Sequence, residues 1–128
     1  GLRLALADES SAIGKLQEGL FKKNGMDSEA VRKNKVTSPA TVNEVALAVK
    51  LGTADAGLIW DALGSLYPDE AEAVRIPLEK NVVSKVAACA LASSGNPRAA
   101  AAFVEHLASE KGRAVLRSKH FTVDPPGP

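Results

Sequence analysis

Leu2-Arg3-Leu4-Ala5-Leu6-Ala7-Asp8 runs apolar for the length of a strand and stops at a carboxylate, and Glu9-Ser10-Ser11-Ala12-Ile13-Gly14-Lys15-Leu16 follows it with small and hydroxyl residues. Leu2, Leu4 and Leu6 alternate with Arg3, Ala5 and Ala7, the two-residue period of a strand. Ser10 and Ser11 are of the type whose side-chain oxygen caps the first turn of a helix. Ile13, Leu16, Leu20 and Phe21 then recur at helical spacing until Asn24-Gly25 ends the run. A strand, a short loop and a helix therefore open the chain.

Further along, residues 28–33 add a polar helical turn or two, and Lys35-Val36-Thr37 reads as a second short strand broken by Pro39. Thr41-Val42-Asn43-Glu44 is a capping box: the Thr hydroxyl accepts from the amide three residues on, and the Glu reaches back to the cap amide. The helix it starts carries Val42, Val45, Ala46 and Val49 on one face and stops at Gly52. Gly57-Leu58-Ile59-Trp60 predicts the next strand, residues 61–66 a short helix, residues 73–77 another strand and residues 84–91 a longer one. Asn96-Pro97 starts a helix with proline at its favoured first position, running through Ala99, Ala102, Phe103 and Leu107. Ser109 caps a last helix with Val115 and Leu116 facing inward, and Phe121-Thr122-Val123 reads as extended. Strands alternating with helices specify an α/β fold, a mostly parallel sheet flanked by helices with right-handed crossovers.

Composition narrows the function classes. Sixteen Lys+Arg against fifteen Asp+Glu over 128 residues give a net charge of +1, so there is no basic excess to collect nucleic-acid phosphates. A single cysteine excludes an internal disulfide, and Cys89 within an apolar run reads as a small buried thiol. His106 and His120 stand far from Cys89 and from each other, without zinc spacing. No stretch approaches the roughly 20 apolar residues of a membrane span. There is no G-x-S-x-G, no H-E-x-x-H and no G-x-G-x-x-G, and Gly14-Lys15 is followed by Leu16 rather than the Ser or Thr of a phosphate-binding loop. His106, beside Glu105 on an amphipathic helix, reads as a solvated helix histidine. No catalytic residue and no cofactor are expected.

What remains is a pair of helix starts, Ser10-Ser11-Ala12 and Thr41-Val42-Asn43. The first turn of a helix holds amides without intrahelical partners and about half a unit of positive partial charge, so an oxyanion can dock there without Lys or Arg. Small side chains let it approach. Trp60, the only tryptophan, ends a predicted strand.

On these residues the chain resembles the carboxy-terminal portion of the molybdate- and tungstate-binding proteins of ABC importers, members of the periplasmic solute-binding group. The similar segments are Leu4-Ala5-Leu6-Ala7-Asp8 with Ser10-Ser11-Ala12-Ile13-Gly14-Lys15; Thr41-Val42-Asn43-Glu44; Gly52-Thr53-Ala54-Asp55-Ala56-Gly57-Leu58-Ile59-Trp60; and Asn96-Pro97 through Phe103, Gly112 and Phe121. The resemblance implies one lobe of a two-lobed fold that binds a tetrahedral oxyanion, with Ala12 and Val42 lending amides and Ser10, Ser11 and Thr41 lining the same loops. Trp60 then stands where relatives often carry a tyrosine that donates to the anion. It further implies a second ligand-binding lobe at residues 1–82, a return segment of one strand and two helices at 83–124, and a frayed tail at 125–128. The partners it implies are the permease of the importer, in a periplasmic or extracytoplasmic setting, and a first lobe that has no counterpart before Gly1. Without that lobe, faces bearing Val86, Leu91, Phe103, Val104, Leu107 and Leu116 lead us to expect self-association or a repacked carboxy terminus. The alternative is a ligand-sensing domain of a transcriptional regulator with the same fold.

Overall fold

Leu4–Ala5 (β1) is the middle strand of a three-stranded parallel sheet ordered β2-β1-β3, with β2 at Lys35–Thr37 and β3 at Ala56–Gly57. The computed structural model describes residues 1–124, so the expected frayed tail at 125–128 lies outside the described residues. The chain forms two units, Gly1–Val83 and a second that begins at Ser84. In the first, α1 (Ala12–Lys23) and α2 (Ser28–Lys33) join β1 to β2, and α3 (Val42–Lys50) joins β2 to β3. This is an α/β architecture, a small parallel sheet flanked by helices, as one lobe of a periplasmic-binding fold would have.

Each helix begins where its cap lies in the sequence. Ser11 Oγ accepts the Gly14 amide at 3.0 Å, Asp27 accepts the amides of Glu29 and Ala30, and Thr41 and Glu44 form the expected capping box. α3 ends as Gly52 takes a φ of +67°, a conformation that costs glycine least. Ala5, Ala7, Ile13, Val45 and Ala54 form the core, and Val45 is wholly buried. On α1 the buried face is Ile13, Gln17 and Phe21, spaced four apart on one stripe. Gln17, only 6% exposed, is the one buried polar side chain among the described residues. Its Oε1 accepts the Ala7 amide and its Nε2 donates to the Ala7 carbonyl, both at 3.1 Å.

Several expected strands do not form. The third strand is Ala56–Gly57 rather than the predicted Gly57 to Trp60, and a short 3-10 turn at Asp61–Leu63 replaces the helix predicted for residues 61–66. Residues 73–77, 84–91 and 121–123 pair with no neighbour among the described residues. Apolar content makes a segment suited to a sheet, but a strand exists only where a ladder satisfies its amides and carbonyls. Residues 64–82 are instead held at points: Lys50 Nζ lies 4.4 Å from the Tyr67 ring centroid and 3.1 Å from Glu70, while Asn24 and Lys23 donate to the carbonyls of Lys80 and Asn81.

The second unit is built on α4 (Pro97–Ala108) and α5 (Glu110–Ser118), hinged at Ser109. Ser109 Oγ donates to the His106 carbonyl at 2.7 Å and accepts the Gly112 amide at 3.3 Å, so one hydroxyl ends the first helix and starts the second. Two expectations fail here. Cys89 is exposed rather than buried, because its segment has no sheet to cover it, and Val115 faces outward at 60% exposure while Leu116 is half-buried. Val86 and Phe103 are likewise open, at 84% and 62%.

At the start of the sheet, Arg3 and Asp55 staple β1 to β3. Asp55 accepts the Arg3 amide at 2.7 Å and the guanidinium at 2.5 Å, and donates its own amide to the Arg3 carbonyl at 2.8 Å. The Arg3 hydrogen bonds hold the Asp55 carboxyl below its ordinary value of 3.8. Ser10 does the same for Asp8, through its hydroxyl and its amide. A carboxyl depressed in the folded state gives stability above its ordinary value, which is lost as pH falls through the folded one. The melting temperature is therefore expected to hold from neutrality to about pH 5 and then to fall, and Asp55→Asn is expected to flatten part of that fall. Thermal unfolding followed by circular dichroism between pH 2 and 7 checks it; an unchanged acid limb in Asp55→Asn would exclude the staple as a source.

Candidate functional site

Because the strands are parallel, the segments leaving them emerge at one edge of the sheet. Residues 6–12 leave β1, residues 38–42 leave β2 and residues 58–60 leave β3. The chain steps outward from β1 to β2 and then back past β1 to β3. Right-handed crossovers, the rule for parallel units, would put α1 and α3 on opposite faces at such a reversal, and ligands of open α/β sheets usually bind outside the strand ends there. All six residues singled out from the sequence, Ser10, Ser11, Ala12, Thr41, Val42 and Trp60, lie on these three segments. The first two are tied together directly, since the Asp8 amide donates to the Pro39 carbonyl at 2.8 Å.

At α1, the Asp8 carbonyl accepts the Ser11 amide at 2.9 Å, and the Asp8 carboxylate accepts the Ser10 amide at 2.9 Å and its hydroxyl at 2.5 Å. Gly14 allows the close approach of helix and loop: a Cβ built there would lie 1.9 Å from the Asp8 carbonyl oxygen. With Gly14 committed to Ser11 Oγ, the amides of Ala12 and Ile13 have no acceptor among the described residues. They are the donors this helix start offers. Ser11 accepts from Gly14 and keeps its hydroxyl proton, whereas the proton of Ser10 is spent on Asp8.

At α3, Glu44 Oε2 accepts both the Thr41 amide and the Thr41 hydroxyl at 3.0 Å, while Thr41 Oγ1 accepts the Glu44 amide at 3.3 Å. The Thr41 hydroxyl is therefore fully used within its own cap. The Val42 and Asn43 amides remain without acceptors among the described residues. Trp60 is half-buried against the core that includes Ala5, Ala7 and Val45, and its carbonyl accepts the Leu63 amide at 2.9 Å. Its indole N–H has no partner among the described residues.

Sequence reading thus located the segments and the Thr41–Glu44 capping box, but not the commitment of the Ser10 hydroxyl to Asp8, and it did not single out the amides of Ile13 and Asn43 as donors. A hollow of about 420 Å³ lies between Thr37, Pro39 and the outer face of α3 at Leu47 and Leu51. It is lined by none of the six residues and mostly by apolar side chains, which suits no oxyanion. Among the described residues no group of His, Cys, Asp or Glu could hold a metal ion, and no helix is long and apolar enough to cross a membrane.

Comparison with protein families returns a match to bacterial extracellular solute-binding proteins over residues 1–122. The chain belongs to that family. Neither the curated proteins nor the solved structures return a match. Membership gives this bacterial extracellular solute-binding protein a solute-binding role in transport, outside the cytoplasm, and a strand-end crevice is where such a role is exercised in an open α/β sheet.

Proposed function

We propose that the solute is a tetrahedral oxyanion, molybdate or tungstate, which the protein presents to the permease of an ABC importer. The observation that carries this reading is the pairing of two helix starts at one sheet edge, joined by the Asp8 to Pro39 hydrogen bond, each with two uncommitted amides: Ala12 and Ile13 on one, Val42 and Asn43 on the other. Backbone amides in a first turn solvate an anion by partial charge and cannot exchange protons with it. A fully ionised ion, which accepts at every oxygen, matches such donors, whereas a protonated ion brings a donor against a donor. Ser11 adds a hydroxyl donor, and Trp60 supplies the indole N–H on the third segment.

Isothermal titration of the protein with molybdate, tungstate, sulfate and phosphate tests this. Saturable heat from the first two, exceeding that from sulfate and phosphate, is the expected result. No heat from any of the four would overturn the proposal while leaving membership of the family intact.

A further inference from the structure

We propose that residues 64–82 are a strap that lifts off the first unit while the sheet stays folded, with Lys50 as its salt-sensitive latch. The segment follows the 3-10 turn after Trp60 and runs up to Val83, where the first unit ends. None of its residues is buried, and Val74 and Leu78 stand 80% and 61% exposed. Its amides close only local turns: Glu70 and Ala71 donate to the Tyr67 carbonyl, Lys80 to that of Pro77 and Asn81 to that of Leu78. A segment with so little burial and no ladder opens at a far lower free energy than the core around Val45.

Two clasps hold it, each at the C-terminal end of a helix. Lys50, the last residue of α3, puts its ammonium 3.1 Å from Glu70 and 4.4 Å from the Tyr67 ring centroid, so one cation makes an ion pair and a cation–π contact with two residues of the strap. At the far end Lys23, the last residue of α1, donates to the Asn81 carbonyl at 2.6 Å, and Asn24 Nδ2 donates to the Lys80 carbonyl at 2.7 Å. α1 and α3 run 12 and 9 residues, so about 18 Å and about 13 Å separate each clasp from the start of its helix. The strap therefore does not rest on the oxyanion reading. A single exposed clasp contributes far less than the conformational entropy that ordering the whole segment costs. Each holds because the other keeps it close, by effective concentration, and releasing one releases both.

Amide hydrogen exchange followed by NMR on the parent, Lys50→Met and Lys23→Met, with thermal melts to verify folding, is the experiment. Lys50→Met keeps an apolar stem and removes the cation. Exchange is expected to quicken about fivefold both at residues 66–71 and at residues 80–81. The Leu4 and Leu6 amides, which donate to Asn34 and Thr37 in the sheet, are expected to change less than about twofold. Lys23→Met should quicken the same two stretches about threefold, from the other end. In the parent, raising salt from about 0.1 M to about 1 M shortens the screening length from about 10 Å to about 3 Å and should quicken both stretches about twofold. Lys50→Met should lose that response, because Lys50 to Glu70 is the one ion pair the strap makes among the described residues. Quickening confined to residues 66–71, equal quickening of Leu4 and Leu6, or a salt response that survives in Lys50→Met would overturn the inference, as would unprotected exchange of both stretches in the parent. Should Lys50→Met fail to fold, the parent decides alone: salt must quicken residues 80–81 together with residues 66–71, and a response at residues 66–71 only overturns the proposal.

Discussion

Gly14→Ala is expected to destabilise the first unit by about 3 kcal/mol or more, the upper end of what overpacking a tight contact costs. The reason is local and severe. A Cβ at residue 14 would lie 1.9 Å from the Asp8 carbonyl oxygen and 2.9 Å from the Glu9 Cα, and both obstacles are backbone, so no side-chain rotation can relieve them. Either α1 withdraws from the sheet edge or the loop from Asp8 to Ser11 opens. Withdrawal of α1 pulls Ile13, Gln17 and Phe21 from the core; opening of the loop breaks the Asp8 to Ser11 bond that aims the first turn. Alanine's better helix propensity returns only about 1 kcal/mol, too little to offset the clash. In a unit of this size the melting temperature should drop by about 10 °C or more. A thermal melt within about 2 °C of the parent would mean that the helix start can shift freely, and a site built on its orientation would lose its support.

That contact shows what the sequence could and could not disclose. The residues Gly14-Lys15 are legible as a failed phosphate-loop motif, yet their real role, letting a helix touch the preceding loop, depends on a carbonyl six residues earlier. Local signals carried well. Ser11, Thr41 and Glu44 cap their helices as their types and spacing require, and β1, β2 and the five helices fall where periodicity and stop residues put them. Strands at 73–77 and 84–91 were misread for a shared reason. Their apolar residues suit a ladder, but whether a ladder partner stands alongside is a property of the whole fold.

The candidate site divides along the same line. Position along the chain fixed which segments leave the strands, and parallel pairing then gathers residues 6–12, 38–42 and 58–60 at one edge. Hydrogen-bond commitment was legible only in part. A threonine three before a glutamate reads as a capping box, and Thr41 takes that role, whereas a serine two residues after an aspartate reads equally as a ligand for an anion or as a turn residue. In the fold the Ser10 hydroxyl is held by Asp8, and Ser11 keeps a proton free. The amides of Ile13 and Asn43 are backbone groups that no side-chain type advertises, so only helix register reveals them.

Gln17 allows the sharpest test of how the first loop is held. It occupies the middle of an otherwise apolar stripe, and its carboxamide satisfies both backbone groups of Ala7, a residue only 2% exposed. Gln17→Leu keeps the volume and removes both partners. Leaving two buried backbone groups unpaired is expected to cost about 3 kcal/mol, since each such group alone costs about 1–3 kcal/mol. Gln17→Glu makes the test diagnostic. An ionised carboxylate there can accept the Ala7 amide but faces the Ala7 carbonyl with no proton to give, and burial also disfavours its charge, so the folded state raises its pKa. A carboxyl raised in the folded state binds its proton more tightly folded than unfolded, so stability falls as pH rises through the ordinary glutamate value and is lost up to the folded one. Gln17→Glu should therefore be badly destabilised at pH 7 and recover toward the parent at about pH 4–5, where the protonated acid can donate to Ala7 as the amide did. Gln17→Leu should show no such recovery. Parallel melts of both variants across that range decide it: if the two fall together at every pH, the Ala7 carbonyl takes its hydrogen bond from elsewhere and Gln17 is not what anchors the strand to the helix.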